Sequence, residues 1–339
     1  MSKRKAAPTA RTRQKRDLRA KTEAVLGALG GCARYVVTAH VRPDGDSLGS
    51  ALATARWLRS GGRETLVVMR DGVPEQFAFL PDAGLISRQY PGDPSEWAVV
   101  VLDTPDPGRT GAPEGYLEAA RTVINVDHHP GNAHYGDANL VDTCASSASL
   151  LVYELMSEAG HAPDGETATL LYAGVLTDTG GFRFGNTDAR TFRTAARLVE
   201  AGAEAPWVAK HVYGEQPTGR LRLLGLVLAS LESELGGRLA IMTLTDRMRE
   251  EAGVSGENIE GLASYGHLLR DVEVSALLRE EGERVRVSLR SSGEADVNEI
   301  AGMMGGGGHR AAAGAALPGP MAEARERLIA AVASSLERR

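Results

Sequence analysis

At 339 residues, with 42% hydrophobic and 24% charged side chains, the chain exceeds what one hydrophobic core usually sustains, and two domains are expected. No apolar run approaches about 18 residues, and none follows the basic residues at the start, which argues against a membrane span and a secretory signal. The net charge of −6 hides an asymmetry: residues 1–21 hold nine Lys/Arg and one Asp, leaving a body of −14 that is poorly suited to track a long DNA or RNA backbone.

Residues 1–21 read as a disordered basic tail, with weak attraction to RNA or a membrane surface as the alternative. Residues 35–40 (YVVTAH) read as a buried strand and 47–60 as a helix that stops at Gly61-Gly62. Further strands are expected at 65–70, 98–104 and 122–127, and helices at about 146–159, 166–176, 188–201 and 207–213. This alternation is the pattern of βαβ units around a mainly parallel sheet with flanking helices. A helical pattern at 218–235 ends at Gly236-Gly237, and the grammar then changes. A strand at 238–245 precedes a hairpin of 272–279 and 284–290 about the turn 280–283. An amphipathic stretch at 296–304, a glycine run at 305–308 and a helix from about 321 complete the chain. The expected fold class is α/β. A catalytic domain spans 22–210, a helical connector 211–235 and a smaller C-terminal α/β domain 236–339, with a cleft between the two domains. Cys32 and Cys144 fit no metal-ligand spacing and read as reduced thiols of a cytoplasmic protein.

Four expected strand or helix ends carry carboxylates or imidazoles, and ligands bind at the carboxyl ends of strands in open α/β sheets. They are His40-Val-Arg-Pro-Asp44-Gly-Asp46, Asp103 after AVVVL, Asp127-His128-His129 after TVINV, and Asp178 in GVLTDTGG. Each alone has a plainer reading as a cap, a turn or a surface pair. Their coincidence favours a site, because clustered carboxylates repel unless protonated or bridged by cations. Oxygen ligands with a few imidazoles suit Mn²⁺ or Mg²⁺, and a pair of such ions about 3.5–4 Å apart can polarise a phosphoryl oxygen.

The runs AHVRPDGDSLGS, INVDHH and YAGVLTDTGGF, with Asp103, resemble the metal motifs of the DHH phosphoesterase superfamily. VSLRSS…DVNEIAGMMGGGGHRAAAG resembles its DHHA1 domain, which family II inorganic pyrophosphatases lack. The resemblance implies two divalent cations, Mn²⁺ before Mg²⁺ or Co²⁺. His40, Asp44 and Asp103 would hold one; Asp46, Asp103, His128 and Asp178 the other, with Asp103 bridging. Asp127 would orient a ligand imidazole, and His129 would contact the scissile phosphate and protonate the leaving group. Substrate would be bound by Arg290, Ser291, His309 and the amides of Gly306, Gly307 and Gly308. Tyr265, Gly266 and His267 could border the cleft, and Arg109 and His134 rank below the ligands as phosphate contacts.

Within the superfamily the compact chain resembles the bifunctional oligoribonuclease and 3′-phosphoadenosine-5′-phosphate phosphatase group. That implies hydrolysis of short RNA to nucleoside 5′-monophosphates, and of 3′-phosphoadenosine-5′-phosphate to AMP. Cyclic or linear dinucleotide cleavage is the alternative chemistry. A non-catalytic nucleotide-binding regulator is the alternative of another class, opposed by the complete ligand set. The expected partners are short RNA or nucleotides, with a monomer or an oligomer both compatible.

Overall fold

The computed structural model describes residues 10–214, 217–254, 261–291 and 295–338. The chain divides into two compact units between residues 215 and 216. The first unit opens with α1 (Ala10–Gly30), which corrects the expectation of a disordered tail over residues 10–21; residues 1–9 lie outside the described residues. The physical reason lies further along the same helix. Val25 and Leu29 are buried in the core, and Leu18, Leu26 and Ala28 pack against it. Once that face is anchored, elongation adds one hydrogen bond per residue, so the basic turns follow the apolar ones.

Next come β1 (Arg34–Thr38), α2 (Gly45–Ser60), β2 (Glu64–Val68), β3 (Ala98–Leu102), α3 (Tyr116–Ala119), β4 (Thr122–Asp127) and β5 (Ala138–Val141). The strands form an all-parallel sheet in the order β2-β1-β3-β4-β5. β5, only four residues long, was not expected. One sheet face buries Val37, Val100, Leu102, Ile124 and Val126 among helices that include α4 (Ala148–Glu158), α5 (Gly165–Asp178) and α6 (Ala189–Glu200). The other buries Val36, Val99, Val101 and Val123 under Trp97 and Tyr116. Cover on both faces explains why every residue of AVVVL is buried. α2 and α5 approach so closely at Gly49 that a Cβ there would sit 2.4 Å from the Leu170 carbonyl oxygen. The short α7 (Ala205–Ala209) runs on into a π-helical turn over Lys210–Gly214.

The second unit begins with α8 (Thr218–Ala229), whose Leu223 and Val227 are buried against Met242, Leu244 and Leu277 of the same unit. The helix expected as a connector is thus part of this unit's core. It also stops short of 235, because the Ser230 hydroxyl donates to Val227 O at 2.7 Å and accepts the Thr243 N–H at 2.9 Å. The chain then enters β6 (Glu232–Glu234), β7 (Leu239–Leu244), α9 (Asp246–Ala252), β8 (Val274–Glu281) and β9 (Arg284–Ser291). α10 (Val297–Met303), β10 (Gly307–His309), β11 (Ala312–Pro318) and α11 (Met321–Glu337) follow. Its sheet runs β10-β11-β9-β8-β7-β6, antiparallel except for the β7–β8 pair. α10 and α11 cover one face through Val297, Ile300, Leu328 and Val332, while α8 and α9 cover the other. Among the described residues, no helix is long and apolar enough to cross a membrane.

Candidate metal centre

Strand register brings the first-unit motifs together. Thr38 pairs with Val101, and Val101 with Asn125, so these three lie at one level across β1, β3 and β4. His40, Asp103 and Asp127 each follow two residues later, at the carboxyl edge where side chains from neighbouring strands converge. α2 adds Asp44 and Asp46 from its first turn. Asp44 is the N-cap, its carboxylate accepting the N–H groups of Asp46 and Ser47. Asp46 has no solvent exposure, and its two oxygens accept the Ala148 and Ser149 N–H groups at 2.6 and 2.9 Å. These amides open α4, so a second helix dipole faces the carboxylate. A Cβ on Gly174 would lie 2.6 Å from Asp46 Oδ1, so α5 needs glycine there to bring Asp178 alongside.

Asp103 lies at the middle of the cluster. Its φ of +51° is a left-handed conformation that non-glycine residues rarely adopt, and its N–H donates to Val126 O at 3.0 Å. One carboxylate oxygen, Oδ2, lies 3.4 Å from His40 Nε2. The other, Oδ1, lies 3.3 Å from His128 Nε2 and 3.4 Å from His129 Nδ1. His128 Nε2 is also 3.3 Å from Asp178 Oδ2 and 4.0 Å from Asp46 Oδ2. His40 Nε2 is 3.8 Å from Asp44 Oδ2, and its Nδ1 sits 2.9 Å from Val41 O, which directs Nε2 inward. Ligand-type atoms therefore gather as His40–Asp44–Asp103, as Asp46–His128–Asp178, and as Asp103–His128–His129.

Burial and crowding shift the charges of these groups strongly. Burial disfavours charge on His40, yet Asp103 and Asp44 beside it raise its pKa to about 9. Burial likewise opposes Asp103, Asp178 and Asp46 at His128, and the carboxylates prevail, raising it to about 10. Asp46 is pushed up to about 7 by burial and then by the Asp103 charge. Burial and Asp46 hold Asp178 well above the usual carboxylate range. Asp103 goes the other way: despite burial, His128 and His40 lower its pKa. Asp103 Oδ1 and His128 Nε2 are nonetheless buried with no hydrogen-bond partner among the described residues. Two inward-facing, unsatisfied ligand atoms within an acidic pocket are what a divalent cation would satisfy.

Asp127 Oδ1 lies 2.8 Å from His129 Nδ1, so the imidazole it orients is that of His129. Its Oδ2 accepts the Asn132 amide at 2.6 Å, and Asn132 also donates to Asn125 Oδ1 at 2.8 Å. Asn125 in turn donates to Val101 O, Thr104 O and the Tyr135 hydroxyl. Sequence reasoning missed this buried chain; its visible signal was the polar Asn125 inside an otherwise apolar strand. Asn186 was missed as well. Its amide donates to the carbonyls of Asp178 and Ser146, each at 3.1 Å, tying the loop after α5 to the start of α4. Val41 N–H donates to Arg109 O, while His134 N–H donates to the Asn132 side chain. Arg109 and His134 thus border the same strand-end loops.

The substrate candidates of the second unit lie at its β9–β11 end. Arg290 and Ser291 close β9, where Arg290 pairs with Ser275 of β8 and Ala312 of β11, and Arg290 Nη1 donates to Leu289 O at 2.9 Å. The glycine run is not a loose amide cradle. Gly306 N–H donates to Ala301 O and Gly308 N–H to Asn298 Oδ1, so the anion-binding role expected of those two amides is already taken. The glycines are needed for another reason. A Cβ on Gly306 or Gly308 would come 2.1 Å from Gly314 O or 2.6 Å from Ala312 O, so β10 could not lie against β11. The side chain of His309 lies outside the described residues. Tyr265, Gly266 and His267 lie in a 3₁₀ helix (Leu262–Leu268) beside β8, where Gly266 packs on the Ser275 hydroxyl.

A parallel sheet with a carboxylate–imidazole cluster at its carboxyl edge defines an α/β protein equipped to hold divalent cations. Comparison with known proteins makes the assignment specific. Residues 34–175 match the DHH family, N-terminal domain, and residues 236–338 match the DHHA1 domain. The chain is 36% identical to the bifunctional oligoribonuclease and PAP phosphatase NrnA of Thermus thermophilus, over 90% of each protein. It is 28% identical to the cyclic-di-AMP phosphodiesterase PdeA of Listeria monocytogenes over 87% of this chain, though over only 47% of that protein. The crystal structure of an exopolyphosphatase-related protein from Bacteroides fragilis superimposes with a TM-score of 0.86 at 25% identity, covering 93% of this chain and 96% of that one. The chain belongs to the DHH family and carries a DHHA1 domain.

Proposed function

We propose that the protein is a divalent-cation-dependent phosphoesterase that hydrolyses short oligoribonucleotides to nucleoside 5′-monophosphates and 3′-phosphoadenosine-5′-phosphate to AMP. The observation that carries this reading is Asp103, whose two oxygens face different imidazoles in a chain 36% identical to a bifunctional oligoribonuclease and PAP phosphatase. His40, Asp44 and Asp103 would hold one cation and Asp46, Asp103, His128 and Asp178 a second, with Mn²⁺ the best fit to the donor set and Mg²⁺ or Co²⁺ as substitutes. When bound, such ions polarise the phosphoryl oxygen and lower the pKa of the attacking water.

The chain's own residues supply the rest. Asp127 holds His129 by Nδ1, which leaves Nε2 to deliver a proton to the departing oxygen. Asn132 and Asn125 keep that carboxylate in place. Arg290, Ser291 and His309 are assigned to the nucleotide's other anionic end, with arginine suited to phosphate by its forked donors. Short RNA and nucleotides arise inside cells, so a cytoplasmic setting belongs to the same reading. Linear or cyclic dinucleotide cleavage is the second reading, supported by the likeness to the Listeria cyclic-di-AMP phosphodiesterase. The test is to incubate the protein and Mn²⁺ with an end-labelled RNA dinucleotide, a long single strand, 3′-phosphoadenosine-5′-phosphate and cyclic-di-AMP, with Asp103→Ala in parallel. Fast cleavage of the dinucleotide, lost in the variant, is expected. Cleavage of cyclic-di-AMP alone would replace the first reading by the second, and inactivity on all four would end both.

A further inference from the structure

The loop that leaves α5 carries an aromatic ring for which the cluster's chemistry has no use. Phe184 is 57% exposed, yet it is firmly held. Its N–H donates to Thr179 O and its carbonyl accepts the Thr187 N–H, both at 3.0 Å. The far end of its ring lies over Gly180, where a Cβ would come 2.4 to 2.6 Å from three ring carbons. Gly181 is covered in the same way by the Tyr213 ring, 3.4 Å from where its Cβ would be. Both glycines take positive φ, 57° and 70°, so the turn requires them as well as the rings above them.

The loop is also joined to the cluster. Thr179 is buried, its hydroxyl donating to Val175 O and accepting the Phe182 N–H. Arg183 Nε donates to Gly180 O at 2.6 Å, and Asn186 donates to the carbonyl of Asp178, the residue whose carboxylate faces His128. Phe182 and Phe192 stack on each other at 5.4 Å and 25°, so Phe192, though itself exposed, has an aromatic partner. Among the described residues no ring stacks on Phe184. An ordered apolar ring kept open to water, on the loop that follows Asp178, is unfavourable by itself, and it is a surface on which a nucleobase can stack.

We propose that Phe184 is a stacking platform for a nucleobase of the nucleotide whose phosphate sits at the His/Asp cluster. The proposal rests on the nucleotide reading above and adds to it how a base is held. Every base offers a π-face, so this contact gives affinity for nucleotides without sequence preference. The test compares wild type, Phe184→Ala and Phe184→Trp on the linear dinucleotide pApA and on the same dinucleotide lacking either base, with Mn²⁺. Phe184→Ala should lower kcat/KM for pApA roughly 10- to 100-fold, mostly through KM, as loss of one base–aromatic stack predicts. Phe184→Trp should restore it. The loss should shrink at least several-fold on one of the base-free analogues. An equal loss on all substrates, or none on pApA, would overturn the platform while leaving the enzyme reading intact. A wild type inactive on pApA would remove the dinucleotide substrate on which the platform rests, and the platform with it, while activity on 3′-phosphoadenosine-5′-phosphate would still uphold the nucleotide reading.

Discussion

The carboxyl edge of the first unit's sheet and the β9–β11 end of the second are both candidates to handle phosphate, and they are built in opposite ways. At the first, Asp46, Asp103 and Asp127 are buried; backbone N–H groups hold the Asp46 carboxylate, the Asn132 amide holds that of Asp127, and the Asp103 backbone N–H donates to Val126 O. At the second, Gly306, Gly307 and Gly308 are exposed, and Arg290 and Ser291 only half-buried at a strand end. The difference teaches which task needs a dry site. Charges that must hold cations and move a proton gain strength when water is excluded and the groups are already oriented. An arginine that grips a phosphate works at an open surface through charge-assisted hydrogen bonds.

Substitution can break that contrast, and the greatest effect belongs at the buried end. Asp103→Ala should lower kcat/KM on the order of 10³-fold or more, beyond the roughly 10- to 100-fold typical of an outer partner. It should also abolish stabilisation by Mn²⁺. In the wild type, cation at 100 times its dissociation constant should add about 2.7 kcal/mol, read as a chelator-reversible rise in Tm. An unchanged Tm on adding Mn²⁺ would contradict the cluster's assignment.

Arg290→Ala should raise KM about 10- to 100-fold, the worth of a charge-assisted contact, while the Mn²⁺-dependent rise in Tm stays intact. Loss of that rise would mean the two ends are not separable. Asn132→Ala sharpens the comparison within the buried end. It frees Asp127 and Asn125 of one donor, so kcat should fall about 10-fold with KM nearly constant, and rescue by Asn132→Gln would point to the amide itself. Leu29→Ala is the control outside both regions: a loss of about 2–5 kcal/mol in stability, measured by denaturant, with kcat and KM unaltered.

Much of this was legible before the fold was known. Alternating apolar runs announce the parallel sheet, and AVVVL ending in Asp103 or TVINV ending in Asp127 places polar groups where such runs must stop. The ligand types were equally visible, since residue chemistry is written in the chain. The helical state of residues 10–21 was not, because charge content describes a segment's own preference and misses the face that Val25 and Leu29 anchor further along. Nor was the work of the glycine run, where packing of β10 on β11 claims what looked like an anion cradle.

The sequence by itself therefore determined the first four strands, the four polar strand or helix ends and the donor types available for a cation, but not the strands β5, β6, β10 and β11. Only the tertiary structure decided who faces whom: Asp103 between His40 and His128, Asp127 on His129 with Asn132 behind it, and Phe184 over Gly180. Those pairings join residues up to dozens of positions apart, and they depend on strand register and helix approach to within a few tenths of an ångström. Local propensity and pattern carry no term for either, because both arise only when distant segments share one packed core.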